Sequence, residues 1–463
     1  MSACANEKNM VKPPVVDTTG MGRQIGRTMW LLGSGTPEKH TRLKVVFYGQ
    51  SIIDENNQWT KNLLEHLKAQ YPYTDFEPMY HLAVGGYSTQ VMAPMTHMDM
   101  KWHYPDLVIV LITGSHYDFD TLVREIKETT TADVMILTNH ITRGNKLNYA
   151  SWEDTMANEH LPAIAKKYGA ELCPVRKTWR DYLIENDVDE NVFLGEDGGH
   201  LNTNGQHFML SMVRQFFVRD EAAAVAAGNV LADEWMEVRA DSWKDGVLTV
   251  PFHGNRVEVV GERPRAPLVE IRVDGKKPSE VVELYAHSRI GHGWHSSGLL
   301  RRLEVKAPHT PQTWVIEFTR WEEVPVENKE GEEKQEFVFA YTVTGEKDGL
   351  LGTSTEGTYR RGGKWSWENK VEGGDFDSRI FKISGESFAF GFKRPALHTR
   401  YIFETKLNGT DRYDGSTPLL FSGLPVGDHV LTLTAKDKGN IQNIKRIRFS
   451  DPMPPSYPQI ANQ

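Results

Sequence analysis

A mostly parallel α/β sheet with helices on both faces, followed by an all-β region, is the architecture this 463-residue chain predicts. Three observations lead there. The runs LKVVFYG (43–49), DLVIVLITG (106–114) and ADVMILTNH (132–140) are apolar almost throughout, as strands buried on both faces are. Between them lie segments with apolar residues at helical spacing, and parallel neighbours need such crossovers. Beyond residue 230 the texture changes to short alternating runs parted by turn pairs.

In chain order, residues 1 to about 20 are polar, Pro-containing and aperiodic, and read as a loose arm. From Gly22 to Leu32 a helix is expected, with Ile25, Met29 and Leu32 on one face and Gly33, Gly35 and Pro37 ending it. The strand at 43–49 leads into a helix carrying Trp59, Leu63, Leu64 and Leu67. DFEPMYHLAVGG (75–86) reads as a second strand closing on two glycines, and 106–114 as a third. A helix over Thr121–Thr129, a strand at 132–140, a helix over Trp152–Tyr168, a strand at AELCPV (170–175) and a last helix over Gly205–Val218 complete the unit. In such sheets ligands bind beyond the carboxyl ends of the strands. Ser51, Gly85-Gly86, Gly114-Ser115-His116 and Asn139-His140 all fall there.

The expected organisation is an arm and helix (1–40), the α/β unit (41–220), an Ala-rich bridge (221–232) and the β-region (233–463). The bridge is apolar rather than Gly/Ser-rich, which suits two units packed together. In the β-region the runs are GVLTVPF, NRVEVVGE, LVEIRVDG, TWVIEFTRW, EFVFAYTVTG, ESFAFGF, TRYIFETKL, HVLTLTAKD and IKRIRFS. Asp274-Gly275, Asn408-Gly409 and Asp414-Gly415 mark turns, giving the pattern of a β-sandwich of jelly-roll or related kind. ENKEGEEKQE (327–336) is most simply a solvated hairpin loop.

Composition narrows the function classes. With 53 Lys plus Arg against 62 Asp plus Glu, the formal charge is −9, and no long basic run exists to track a nucleic-acid backbone. Only two cysteines occur, Cys4 and Cys173, too few for a disulfide framework or a cysteine-built zinc site, although they would suffice for one bridge. No apolar run reaches the roughly 18 residues of a membrane span. Met1-Ser2-Ala3-Cys4 resembles the small-residue-plus-cysteine end of a bacterial lipoprotein signal, which would fit an exported or lipid-anchored protein with its signal removed. An ordinary terminus accounts for it equally well.

Chemistry enters through Ser51. A serine hydroxyl at its free pKa is a poor nucleophile and needs a base that is itself oriented. GEDGGHLNTNG supplies Asp197 and His200 three residues apart, just before a helix. A serine after a glycine is by itself an ordinary turn residue. The three residues together form a Ser, His, Asp set.

Four blocks in order then resemble the SGNH, or GDSL-like, hydrolase superfamily over roughly residues 40–220. Gly49-Gln50-Ser51 matches the nucleophile block, with Gln in place of the commoner Asp. His81-Leu82-Ala83-Val84-Gly85-Gly86 is similar to the oxyanion-hole segment, which maps onto Gly86. Gly114-Ser115-His116 stands where the family places an oxyanion-hole asparagine, so His116 departs from the pattern. Asp197-Gly198-Gly199-His200 is similar to the family's Asp-x-x-His. The resemblance implies a flavodoxin-like three-layer fold and a hydrolase with Ser51 as nucleophile, His200 as base and Asp197 as its orienting acid. Gly86 and His116 would serve the oxyanion hole, and no cofactor is implied.

A β-sandwich attached to such a unit resembles carbohydrate esterases, which makes an acylated carbohydrate, above all an O-acetylated one, the expected substrate. Seven of the twelve Trp lie beyond residue 230, and flat rings suit sugar faces. Gln50, His140, Trp294 and Trp365 are the candidate substrate contacts, the last two in the Gly-rich loops GHGWH and GKWSW. Core packing is the commoner fate of Trp in a sandwich. His287, His292 and His295 lack a metal-site pattern, and no metal is expected. Two other readings stay open: an enzyme of this fold acting on a glycosidic bond, and a catalytically lapsed glycan-binding protein.

Overall fold

The computed structural model describes residues 20–261, 268–289, 299–302, 307–325, 335–347, 349–354, 357–360, 367–372, 379–384, 400–436 and 443–452. Its first unit is built on five parallel strands: β1 (Val45–Gly49), β2 (Tyr80–Ala83), β3 (Leu107–Leu111), β4 (Asp133–Leu137) and β5 (Glu171–Cys173). Their spatial order is β2-β1-β3-β4-β5. A small parallel pair, Thr41–Leu43 with Thr74–Phe76, flanks them.

Successive residues of a strand point to opposite faces, and here both faces are apolar. Val45, Phe47, Leu107, Ile109, Leu111, Met135 and Leu137 pack on one side against α1 (Gly26–Gly33), α2 (Gln58–Gln70), α6 (Val175–Glu185) and α7 (Thr203–Val213). Val46, Tyr48, Val108, Val110, Val134 and Ile136 pack on the other against α3 (Thr89–His103), α4 (His116–Thr129) and α5 (Leu161–Tyr168). Register along β1 and β3 is continuous from Val45 opposite Leu107 to Gly49 opposite Leu111. This is the expected three-layer α/β arrangement with the flavodoxin-like order.

Three helices lie where none was expected. Helix α3 carries Pro94 and shows no clean apolar stripe, because it is covered on two sides: Val91, Met92, Ala93, Met95 and Met100 face the sheet unit, while Asp99 and Lys101 are buried as well. A helix so enclosed loses the contrast between faces by which periodicity is recognised. Helix α6 directly follows β5, and its interior side carries Arg176 and Arg180 as well as Trp179 and Leu183. Helix α4 begins at His116, five residues before the sequence placed it, where Ser115 caps it by accepting from the Asp118 N–H. The Ala-rich stretch is itself a helix, α8 (Glu221–Asp233), packed so closely on α1 that a Cβ at Gly26 would lie 2.8 Å from the Ala223 carbonyl oxygen.

The second unit is antiparallel. One six-stranded sheet runs, in spatial order, Arg412–Tyr413, Val269–Val273, Leu419–Ala435, Val247–Gly261, Ile444–Ser450 and Trp235–Glu237. A nine-stranded sheet is assembled from strands between Tyr285 and Leu407. The runs GVLTVPF and NRVEVVGE, read as separate strands, form one long strand. Within it Gly254 has φ +137°, and a Cβ there would lie 2.4 Å from the Ser450 carbonyl oxygen, which leaves no room for a side chain. Asp274 and Gly275 both have positive φ, and Val273 and Lys276 bond to each other across them, as a tight hairpin turn requires. ESFAFGF, and residues 327–334 of the expected hairpin loop, lie outside the described residues; the strands flanking that loop pair antiparallel up to Pro325 opposite Gln335.

The two units meet along α3. Asn408 Nδ2 donates to the Lys101 carbonyl at 3.0 Å, Lys406 Nζ to the Trp102 carbonyl at 2.6 Å, and Arg289 makes two hydrogen bonds to buried Asp99 at 2.9 and 2.7 Å. On the other side of Asp99 the Tyr48 hydroxyl donates at 2.8 Å. The residue after Tyr48 begins the turn that carries Ser51. Cys173 is a buried free thiol, and Cys4 lies outside the described residues.

Candidate active site

The serine turn exists because of one glycine. Gly49 ends β1 at φ +152°, where a Cβ would sit 1.9 Å from the Leu111 carbonyl oxygen of β3. Only glycine lets the chain leave the sheet there. Gln50 N–H then donates to Leu111 O at 3.1 Å, and Ser51 opens a single helical turn whose Ile52 and Ile53 are buried. Asn57 Nδ2 donates to the Ser51 carbonyl from the entrance of α2, which fixes the turn from outside.

A second loop brings His200. Gly195 N–H donates to the His200 carbonyl at 2.8 Å, and Leu194 bridges Leu201, closing residues 195–200 into a tight loop before α7. Within it Asp197 Oδ1 accepts from the N–H groups of Gly199 and His200, both at 2.9 Å, while Oδ2 meets His200 Nδ1. The hydrogen bond from His200, followed by the two backbone donors, holds the Asp197 carboxyl well below the usual carboxylate range. An ionised carboxylate only accepts, so Nδ1 carries the proton and Nε2 is left as acceptor. His200 Nε2 lies 2.9 Å from Ser51 Oγ. Residues 149 positions apart thus form one hydrogen-bonded line, with the His200 and Asp197 side chains more than half exposed at the surface.

The Gly85-Gly86 turn closes the other side. A Cβ on Gly85 would lie 3.7 Å from Ser51 Cβ, and Gly86 adopts φ +78° with its N–H lacking an acceptor among the described residues. Gln50 turns sideways, its Oε1 accepting from Thr113 Oγ1 at 3.0 Å.

Two candidate residues are placed otherwise than expected. His140 is only 1% exposed and cannot touch a substrate. Its Nε2 bonds the Gly199 carbonyl at 2.7 Å, and burial lowers its pKa to about 4, so it is a neutral prop beneath the His200 loop. His116 starts α4 with its ring parallel to that of His160 (centroids 3.9 Å, planes 4° apart) and tilted against Tyr117 and Trp152. No hydrogen bond joins it to the serine turn, and its ring is held by stacking rather than by the tautomer-fixing partner an oxyanion donor would need. Trp294 and Trp365 lie outside the described residues, as do His292 and His295; His287 is buried.

Sequence reading missed the parts that hold the loops. Arg143 clasps the His200 loop: its N–H donates to Gly198 O at 2.9 Å, Nη1 to Glu196 O at 3.0 Å and Nη2 to Gly195 O at 3.3 Å. Its own loop is anchored by Asp154, which is buried with Arg176 at 2.9 Å and also paired with Arg180. Burial alone would raise the Asp154 pKa, but its bonds to Arg180, Arg176 and Ser151 prevail and hold it well below its ordinary value. Arg180 Nη2 in turn donates to the carbonyls of Asn145 and Asn148. Arg at α6 positions 176 and 180, one helical turn apart, was the available signal. Among the described residues no cluster of three or more His, Cys, Asp or Glu is placed to hold a metal ion, and no helix is long and apolar enough to cross a membrane.

The parallel order β2-β1-β3-β4-β5 is the flavodoxin-like order that the resemblance to the SGNH-type hydrolases implies. No protein-family model matches the chain, and no curated protein matches its sequence. Among solved structures it is similar to an acetyl xylan esterase from Geobacillus stearothermophilus at 15% identity, over 38% of this chain and 94% of that one, with a TM-score of 0.33. It is similar also to TesA, at 16% identity over 37% of this chain and 97% of that one, TM-score 0.31. A two-domain esterase active on acetylated mannans, co-crystallized with mannopentaose, is 13% identical and matches 90% of this chain and 96% of its own, TM-score 0.35.

Proposed function

We propose that the protein is an SGNH-type ester hydrolase that removes O-acyl groups, above all O-acetyl groups, from a carbohydrate. The observation that carries this reading is the line from Ser51 Oγ through His200 to Asp197 beyond the carboxyl end of β1. Ser51 attacks the ester carbonyl while His200 Nε2 takes its proton, and the bond that breaks releases the sugar alcohol, which recovers that proton from His200. Asp197 holds the tautomer and stabilises the imidazolium. Water, activated by the same nitrogen, then cleaves the acyl-serine and leaves the free acid.

The developing oxyanion needs donors aimed at it, each typically worth ~10²–10³ in rate. The backbone N–H groups of Ser51 and Gly86 take that role. The exposed, hydrogen-bonded His200 and Asp197 suit a substrate too large to be enclosed, and the exposed aromatic rings nearby suit a sugar.

Release of acetate from 4-nitrophenyl acetate and from O-acetylated oligosaccharides tests the proposal. New reducing ends without acetate would establish glycosidic cleavage instead, and binding without turnover would mark a lapsed site.

A further inference from the structure

Four rings meet on the elements that follow β3 and β4: His116 and Tyr117 from the start of α4, Trp152 from the end of the β4 loop, and His160 from the helix that follows it. The helix is interrupted by a π-turn over Met156–His160. Such an inserted residue is often functional, and here it ends at the ring that stacks on His116. Tyr117 is 75% exposed and Trp152 44%, unusually open for large aromatics. The Tyr117 hydroxyl and both imidazoles have no hydrogen-bond partner among the described residues.

The cluster is tied to the site. Trp152 Nε1 donates to the Gly114 carbonyl at 2.7 Å, and Thr113, one residue earlier, bonds Gln50 beside Ser51. Gly114 itself can hold no side chain, since a Cβ there would lie 2.4 Å from Thr89 Oγ1. From the other end of the same loop Arg143 holds the His200 loop. The rings therefore flank the crevice on its β3–β4 side, fixed relative to the nucleophile.

We propose that Tyr117, Trp152, His116 and His160 form a sugar-binding subsite that takes the pyranose ring bearing, or adjoining, the scissile acyl group. The apolar face of a pyranose packs on Tyr117 and Trp152, and its hydroxyls meet the unpaired imidazole nitrogens and the tyrosine hydroxyl. This rests on the esterase reading for which ring is held, but not for the binding itself.

Tyr117→Ala is the direct test, because the side chain projects outward and makes no hydrogen bond. Relative to wild type, the ratio of kcat/KM on O-acetylated xylo- or manno-oligosaccharides to kcat/KM on 4-nitrophenyl acetate should fall about tenfold, mostly through KM, and Tyr117→Phe should recover most of it. An unchanged ratio would overturn the subsite. Binding separates this claim from the esterase reading. In a Ser51→Ala background the same oligosaccharides should bind, and adding Tyr117→Ala should weaken them about tenfold. If the wild-type protein releases no acetate but this loss persists, the subsite stands and the esterase reading falls. If acetate is released but the ring change affects neither binding nor the ratio, the subsite falls alone.

Discussion

Gln206 Nε2 donates to Asn57 Oδ1 at 2.7 Å, joining the helix that follows His200 to the residue that grips the Ser51 carbonyl. Gln206 Oε1 also accepts from the Trp59 N–H at 3.2 Å. His200 and Ser51, the proposed base and nucleophile, lie 149 residues apart, and this amide bridge ties their two loops together.

Replacing Gln206 with Leu should lower kcat by roughly 10–10², because small displacements of a reacting pair are costly, with little effect on KM. The lost bonds should cost about 1–3 kcal/mol in urea unfolding. An unaltered kcat in a destabilised protein would reduce Gln206 to a structural role.

Ser51→Ala should abolish turnover, by at least ~10³ in kcat, while leaving the melting transition in place. Near wild-type activity in the folded variant would show that another group attacks.

Asp154→Ala would strand two buried guanidinium groups, of which Arg180 also holds the carbonyls of Asn145 and Asn148 and Arg176 that of His140. Breaking a buried ionic cluster from one side typically costs about 3–5 kcal/mol. Chemical denaturation measures it, and a change under 1 kcal/mol would mean that the arginines find other partners.

Glu171 is buried on β5, where it accepts from Gly22 and Gln24 N–H groups. Burial, with Asp133 nearby, raises its pKa from 4.5 to about 7 against the pull of those two donors. The folded protein therefore holds this proton more tightly than the unfolded chain. Its contribution is complete below pH 4.5 and is lost as pH rises through 7, by about 3 kcal/mol. The urea midpoint should fall between pH 5 and 8, and Glu171→Gln should flatten that slope. An equal slope in the variant would assign the effect elsewhere.

A chain ending at Asp220 should melt lower and less cooperatively than the whole protein. It loses Arg289 from buried Asp99 and the donors of Asn408 and Lys406 to the end of α3. An unchanged, cooperative transition for residues 20–220 would show that the two units are independent.

The sequence alone marked the central parallel strands, because strands buried on both faces must be apolar almost throughout, as 107–111 and 134–137 are. It also singled out Ser51, Asp197 and His200, since a glycine forced into a turn and an Asp-x-x-His before a helix leave local traces. Tertiary structure decided what has no local trace. Helix α3 escaped periodicity because the β-region buries its second side. His140 sits at a strand end like a binding residue, but only the folded His200 loop above it turns the ring into a buried prop. His116 stands in an oxyanion position by sequence, and its place in a stack with His160 depends on a π-turn 40 residues away. Which rings meet is a matter of long-range packing, and no spacing along the chain encodes it.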